Sequence, residues 1–105
     1  MIWKFITFLV RKLEPEVAHQ ISLIALKLGF HPRLKRIEIP VKINNLHFTN
    51  FLGVAAGFDK NAQIIERIHY LNFGLTEVGT ITPLPQYGNP KPRVFRLEKD
   101  KAIIN

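Results

Sequence analysis

Cysteine is absent from this chain, tryptophan and methionine occur once each, and acidic residues number 8 against 15 Lys and Arg. Without cysteine there is no disulfide scaffold, no thiolate zinc site and no Cys nucleophile. No apolar run reaches the ~18–20 residues needed to cross a bilayer. There is also no internal repeat and no low-complexity segment. At 105 residues the chain is one ordinary domain at most. With 22% charged and 10% aromatic residues it lacks the composition of a chain disordered throughout.

The shortage of acid leaves a net charge of +7, unevenly placed. Residues 1–50 carry eight Lys or Arg against three Glu, or +5, and residues 51–105 carry seven basic against five acidic, or +2. A basic, apolar N-terminal half suits anionic lipid or nucleic acid. Nucleic-acid readers interleave basic residues with exposed aromatics or Gly-rich loops. Here they alternate with Ile, Leu and Phe at helical spacing. That pattern favours a membrane surface, and no nucleic-acid partner is expected.

Met1–Leu13 puts Lys4, Thr7 and Arg11 on a narrow polar stripe of a helix, with Ile2, Trp3, Phe5, Ile6, Phe8, Leu9, Val10 and Leu13 covering the rest. It fits an interfacial helix, with Trp3 and Phe5 at the headgroup boundary, and it also fits a core helix. Glu14-Pro15-Glu16 opens a second helix, because proline suits the first helical position. Val17, Ile21, Ile24, Ala25 and Leu28 form its apolar face, and Gly29 is its stop. The two helices are expected to form a hairpin with apolar faces turned toward each other.

From Ile37 the period changes. Val41–Phe48 alternates around Asn44-Asn45 and reads as a small β-hairpin. Phe51–Ala56 is a short apolar run that fits a strand buried on both faces. Residues 62–71 fit a helix with Ile64, Ile65, Ile68 and Leu71 inward, and Leu75–Gly79 fits a second strand. Strand, helix, strand is a βαβ unit with parallel strands. Four of the seven prolines lie within residues 80–92, which reads as a stiff extended loop. Arg93–Leu97 fits another strand, Glu98–Lys101 a turn, and Ala102–Asn105 is mostly apolar.

The informative stretch is Ala55-Ala56-Gly57-Phe58-Asp59-Lys60, which follows the first strand of that unit at its C-terminal end. Barrel and open-sheet enzymes place ligands there. Small residues let a flat ring lie against the backbone, Gly57 permits a turn, and Lys60 adds a positive charge. Beside a flavin, that charge would stabilise the negative charge on the N1/O2 side of the reduced ring. The same residues also fit a tight βα turn with a surface lysine. Thr80 falls at the same end of the second strand, so Lys60 and Thr80 can flank one ligand. His19 fits an ordinary half-buried histidine as well as a ligand contact.

Together these residues resemble the quinone-dependent, class 2 dihydroorotate dehydrogenases. The matching elements are Leu13–His19, Ala55–Lys60, Glu77–Pro83, Pro85–Leu97 and Ile103–Asn105, in unbroken order over nearly the whole chain. The resemblance implies an α/β fold: an N-terminal helical hairpin, then the first two β/α units of a TIM (β/α)8 barrel, incomplete here. Its division would be a membrane and quinone-access extension over 1–36 and the start of an FMN-binding barrel over 37–105. It implies oxidation of dihydroorotate to orotate with FMN, with electrons passed to a membrane quinone in pyrimidine biosynthesis.

By that resemblance Ala56, Gly57, Phe58, Asp59, Lys60 and Thr80 contact FMN, and Lys60 also reaches the substrate carboxylate. Asn105 resembles the first residue of the family's substrate-binding Asn-Arg-Met-Gly-Phe segment. His19 and Arg96 fall at positions lining the quinone route. The resemblance also implies a peripheral membrane protein, on the cytoplasmic side of a bacterial inner membrane or in the mitochondrial inner membrane, and no metal is expected. Asn72 departs from the family's usual glycine, which touches turn geometry. Length departs further, since a full barrel takes roughly 250 residues and the family's serine base falls beyond residue 105. The chain is therefore expected to be a segment of a longer enzyme, inactive alone, or a truncated non-enzymatic remnant that binds membranes.

Overall fold

The computed structural model describes residues 2–105. They pack as two compact units, one joining the chain up to Ile21 with Pro83–Asn105, the other formed by Ser22–Thr82. α1 (Ile2–Val10) lies in the first unit, and α2 (Pro15–Lys27) begins in the first and ends in the second. The break between them follows from Glu14-Pro15. The Glu14 carboxylate accepts the N–H of Glu16 at 3.1 Å and of Val17 at 3.0 Å, satisfying two of the four donors a helix start leaves free. At the far end Gly29 takes φ +81, a left-handed value that favours glycine. The N–H of Phe30 then reaches the Ala25 carbonyl at 2.8 Å and that of Gly29 reaches Leu26 at 2.9 Å, a Schellman closure.

In the first unit β5 (Phe95–Leu97) pairs antiparallel with β6 (Ala102–Ile104), Phe95 opposite Ile104. Residues 80–92 carry neither helix nor strand, as their prolines require. Two arginines three residues apart hold the joint between the helices. Arg96 Nη1 donates to the carbonyls of Arg11 at 2.8 Å and Leu13 at 2.5 Å. Arg93 Nη2 meets Glu16 Oε1 at 2.6 Å, while its Nη1 donates to the carbonyls of Tyr87 and Asn89. Lys91 Nζ lies 3.3 Å from the same Glu16 oxygen. The Arg93 hydrogen bond first, and Lys91 after it, hold the Glu16 carboxyl below its ordinary value against a smaller opposing effect of burial.

In the second unit β1 (Val41–Ile43) and β2 (Leu46–Phe48) form the expected hairpin, with Asn44 at φ +53. β3 (Gly53–Val54) and β4 (Leu75–Thr76) pair in parallel, Gly53 beside Leu75 and Val54 beside Thr76. Between them lies α3 (Ile65–Ile68), continued by a 3-10 turn over His69–Leu71. The core is Leu23, Leu26, Ile64 and Ile68, with Val54, Phe58, Leu71 and Phe73 packed against it. Burying a side chain of this kind contributes about 1.5–3 kcal/mol.

Three expectations are corrected. The buried face of α2 is Ala18, Leu23 and Leu26, whereas Val17, Ile21, Ile24 and Leu28 are 42–80% exposed. No residue of α1 is buried, so the helices' apolar faces are not covered by each other. Second, the strand expected over Phe51–Ala56 is only Gly53–Val54, and Phe51 and Leu52 are exposed. Its one hydrogen-bonded neighbour among the described residues is β4, and of its two residues Val54 packs against the core while Gly53 is exposed. Third, the helix expected over 62–71 starts at Ile65. Ala62 is left-handed at φ +58, and the N–H groups of Gln63 and Ile64 are taken by the Asp59 carboxylate.

Candidate functional site

The parallel register of β3 and β4 sends Ala55–Lys60 and Glu77–Thr80 out of the same end of the pair. Two backbone bonds fasten that register, Gly74 N–H to the Leu52 carbonyl and Glu77 N–H to the Val54 carbonyl, both at 2.9 Å. Asn50 secures the base. It is 4% exposed, its Oδ1 accepts from Leu52 N at 3.0 Å and Gly74 N at 3.1 Å, and its Nδ2 donates to the Asn72 carbonyl at 3.0 Å. Gly74 is required here, because a Cβ would collide with the Asn50 backbone carbonyl.

At the open end the side chains are small or charged. Ala55 and Ala56 are exposed, Gly57 takes φ +102, and no atom lies within 4 Å of where a Gly57 Cβ would stand. Phe58 turns inward onto the core. Lys60 and Thr80 are both exposed, Thr80 after Gly79, whose φ is +103. The end of the pair is thus a shelf with little side-chain bulk, a cation and a hydroxyl, able to take a flat polar heterocycle.

Asp59 behaves differently from its neighbours. It is 1% exposed, and its two carboxylate oxygens accept the N–H groups of Gln63 at 2.8 Å and Ile64 at 2.9 Å. Its side chain is committed to the start of α3, so what it offers a ligand is its backbone. Those amides precede α3, whose N-cap residue Ile64 has no side-chain cap, so Asp59 fixes the approach to the helix without capping its first turn. Asn50 gave no local signal, because its partners lie up to 24 residues away. The Glu16–Arg93 pair spans 77 residues and was equally invisible.

Of the other expected residues, His19 is half-buried on α2. Arg96 sits on β5 in the same unit, one guanidinium nitrogen spent on the carbonyls that end α1. Asn105 is exposed just after β6. Asn72 accommodates the position where glycine was expected by taking φ +63, and its amide donates to the Lys35 carbonyl at 2.7 Å. No group of three or more His, Cys, Asp or Glu able to hold a metal occurs among the described residues.

Residues 38–105 match the family model described as dihydroorotate dehydrogenase. A curated relative from Bartonella tribocorum, "Dihydroorotate dehydrogenase (quinone)", is 53% identical over 95 residues, covering 89% of this chain and 26% of that protein. A relative of the same name from Erythrobacter litoralis is 47% identical over 107 residues, covering 100% of this chain and 31% of the other. Among solved structures, the Eimeria tenella enzyme in complex with ferulenol superposes with a TM-score of 0.81 at 48% identity, over 87% of this chain and 25% of that one. The chain thus spans about a quarter to a third of the length of the relatives it matches.

Proposed function

The chain belongs to the dihydroorotate dehydrogenase family, and on that premise we propose that it is the N-terminal portion of a quinone-dependent enzyme that oxidises dihydroorotate to orotate with FMN. The observation that carries this reading is the shelf at the end of the β3–β4 pair, which lies within the matched residues. The residues present fit one side of a flavin. Open space at Gly57, exposed Ala55 and Ala56, and the exposed cation of Lys60 leave room for a ring and supply charge beside it.

Bound FMN would supply the two-electron acceptor chemistry that no side chain of this segment offers. The backbone of Ala56–Lys60 and the Thr80 hydroxyl orient the ring. Lys60 would supply a positive charge to the bound flavin and to the substrate carboxylate, and Asn105 would bind substrate. None of these residues is assigned as the proton-abstracting base. Residues 37–105 begin a (β/α)8 barrel, and residues 1–36 form the extension that meets the membrane. His19 and Arg96 line the quinone route. The exposed apolar residues Ile2, Phe5, Phe8 and Leu9 on α1, beside Lys4, Arg11 and Lys12, suit an anionic bilayer surface. No helix among the described residues is long and apolar enough to cross a membrane. The expected attachment is peripheral, at the cytoplasmic face of a bacterial inner membrane or at the mitochondrial inner membrane.

The test is anaerobic addition of dihydroorotate to the complete, FMN-loaded protein. The visible flavin band should bleach and return on adding a quinone in lipid vesicles. An unbleached band would overturn the proposal.

A further inference from the structure

Asp59 lies within the turn assigned to the flavin, yet it is 1% exposed. Three successive amides close on it. Its main-chain carbonyl accepts the N–H of Ala62 at 3.3 Å, and its carboxylate accepts those of Gln63 and Ile64 at 2.8 and 2.9 Å. A carboxylate has an oxygen for each of the two N–H groups, and bonds to an ionised acceptor are stronger than neutral ones. The far end of this staple is rigid, because Ile64 is also 1% exposed and packs with Leu23, Leu26 and Ile68. The near end is the backbone that carries Lys60, which is exposed.

We propose that Asp59 is a positioning residue. Its carboxylate ties the Ala56–Lys60 turn to the start of α3 and so sets where the Lys60 ammonium and the turn backbone stand, without itself touching the flavin. The proposal rests on the flavin reading above. A turn released from the staple samples other conformations, and binding weakens in proportion to the fraction still in place. If one tenth remains, the apparent Kd for FMN rises about tenfold.

The experiment uses the complete FMN-loaded protein and three variants, Asp59→Ala, Asp59→Asn and Lys60→Ala. It measures FMN affinity on reloading the apoprotein, the visible flavin band, KM and kcat for dihydroorotate, and amide hydrogen exchange at Gln63 and Ile64. Asp59→Ala should bind FMN about tenfold more weakly, shift the flavin band, raise KM, and speed exchange at the two amides. Asp59→Asn keeps one acceptor oxygen, so it should move each quantity the same way by less. Wild-type FMN affinity and flavin band in Asp59→Ala, with both altered in Lys60→Ala, would overturn the positioning role and leave the flavin reading standing. Wild-type values in Lys60→Ala would overturn the flavin reading itself. If Asp59→Ala does not fold, Asp59→Asn decides: a shifted band with weaker FMN binding supports the proposal, and wild-type values overturn it.

Discussion

Replacing Asn50 with Ala removes every side-chain bond that closes the base of the β3–β4 pair. The Gly74 N–H loses a 3.1 Å partner but keeps the Leu52 carbonyl at 2.9 Å, so it is not left bare. The Leu52 N–H loses its 3.0 Å bond, and Leu52 is exposed enough for water to take over. The Asn72 carbonyl loses a 3.0 Å donor at a half-buried site, which water replaces only in part. The 3.4 Å bond to the Ile37 carbonyl is too long to count for much. A fully stranded buried group costs about 1–3 kcal/mol and an ordinary bond about 1 kcal/mol. With most partners able to recover, the sum is about 2 kcal/mol. Asn50→Asp keeps the oxygen that accepts both N–H groups but loses the donor and turns a buried charge toward two carbonyls, so it should cost at least as much. Urea unfolding of the complete protein, compared at unchanged m-value, measures the difference. A loss below about 0.5 kcal/mol for Asn50→Ala, the range of ordinary surface changes, would show that Asn50 does not fasten this end of the pair.

Other expectations follow from the remaining contacts. Glu16 titrates below its ordinary value because Arg93 and Lys91 bond its charged form. Its stabilising effect is full above the unfolded glutamate value of about 4.3 and disappears as pH falls through the lower folded value. Glu16→Gln should flatten that part of the pH–stability curve, and an unchanged curve would remove the pair from the account. A protein lacking residues 1–13 should co-sediment far less with anionic vesicles. High salt should weaken binding of the intact protein only partly, because apolar burial dominates; undiminished co-sedimentation of the shortened protein would refute an α1 anchor. A polypeptide of these 105 residues alone, given excess FMN, should show no dihydroorotate-driven dye reduction, because phosphate-binding loops of such barrels follow the seventh and eighth strands. Turnover above background would contradict this.

What was legible in the sequence was local. Pro15 and Gly29 marked both ends of α2, the Asn44 turn marked the hairpin, and the proline run marked the loop, because each acts through the φ of its own residue. The βα turn at Ala55–Lys60 was legible for the same reason, through Gly57. Less legible was anything set by distant partners. Leu23 and Leu26 are buried with Ile64 and Ile68, whereas helical periodicity alone favours the stripe of Val17, Ile21, Ile24, Ala25 and Leu28. α3 starts at Ile65 and not at residue 62 because Ala62 takes a left-handed φ of +58, which the apolar period of 62–71 does not mark. By resemblance Arg96 falls on the quinone route. Its grip on the carbonyls of Arg11 and Leu13, more than 80 residues away, had no trace in spacing.

On the proposed reading, the turn ending in Lys60 forms one wall of a flavin site in a dihydroorotate-oxidising enzyme. Stopped-flow reduction of the complete, FMN-loaded protein by dihydroorotate tests it most directly, comparing Lys60→Ala with the unsubstituted protein. Removing the cation beside the ring and the substrate carboxylate should slow flavin reduction at least tenfold, about 1.4 kcal/mol in the barrier. A Lys60→Ala protein that reduces its flavin at the unsubstituted rate would contradict the account.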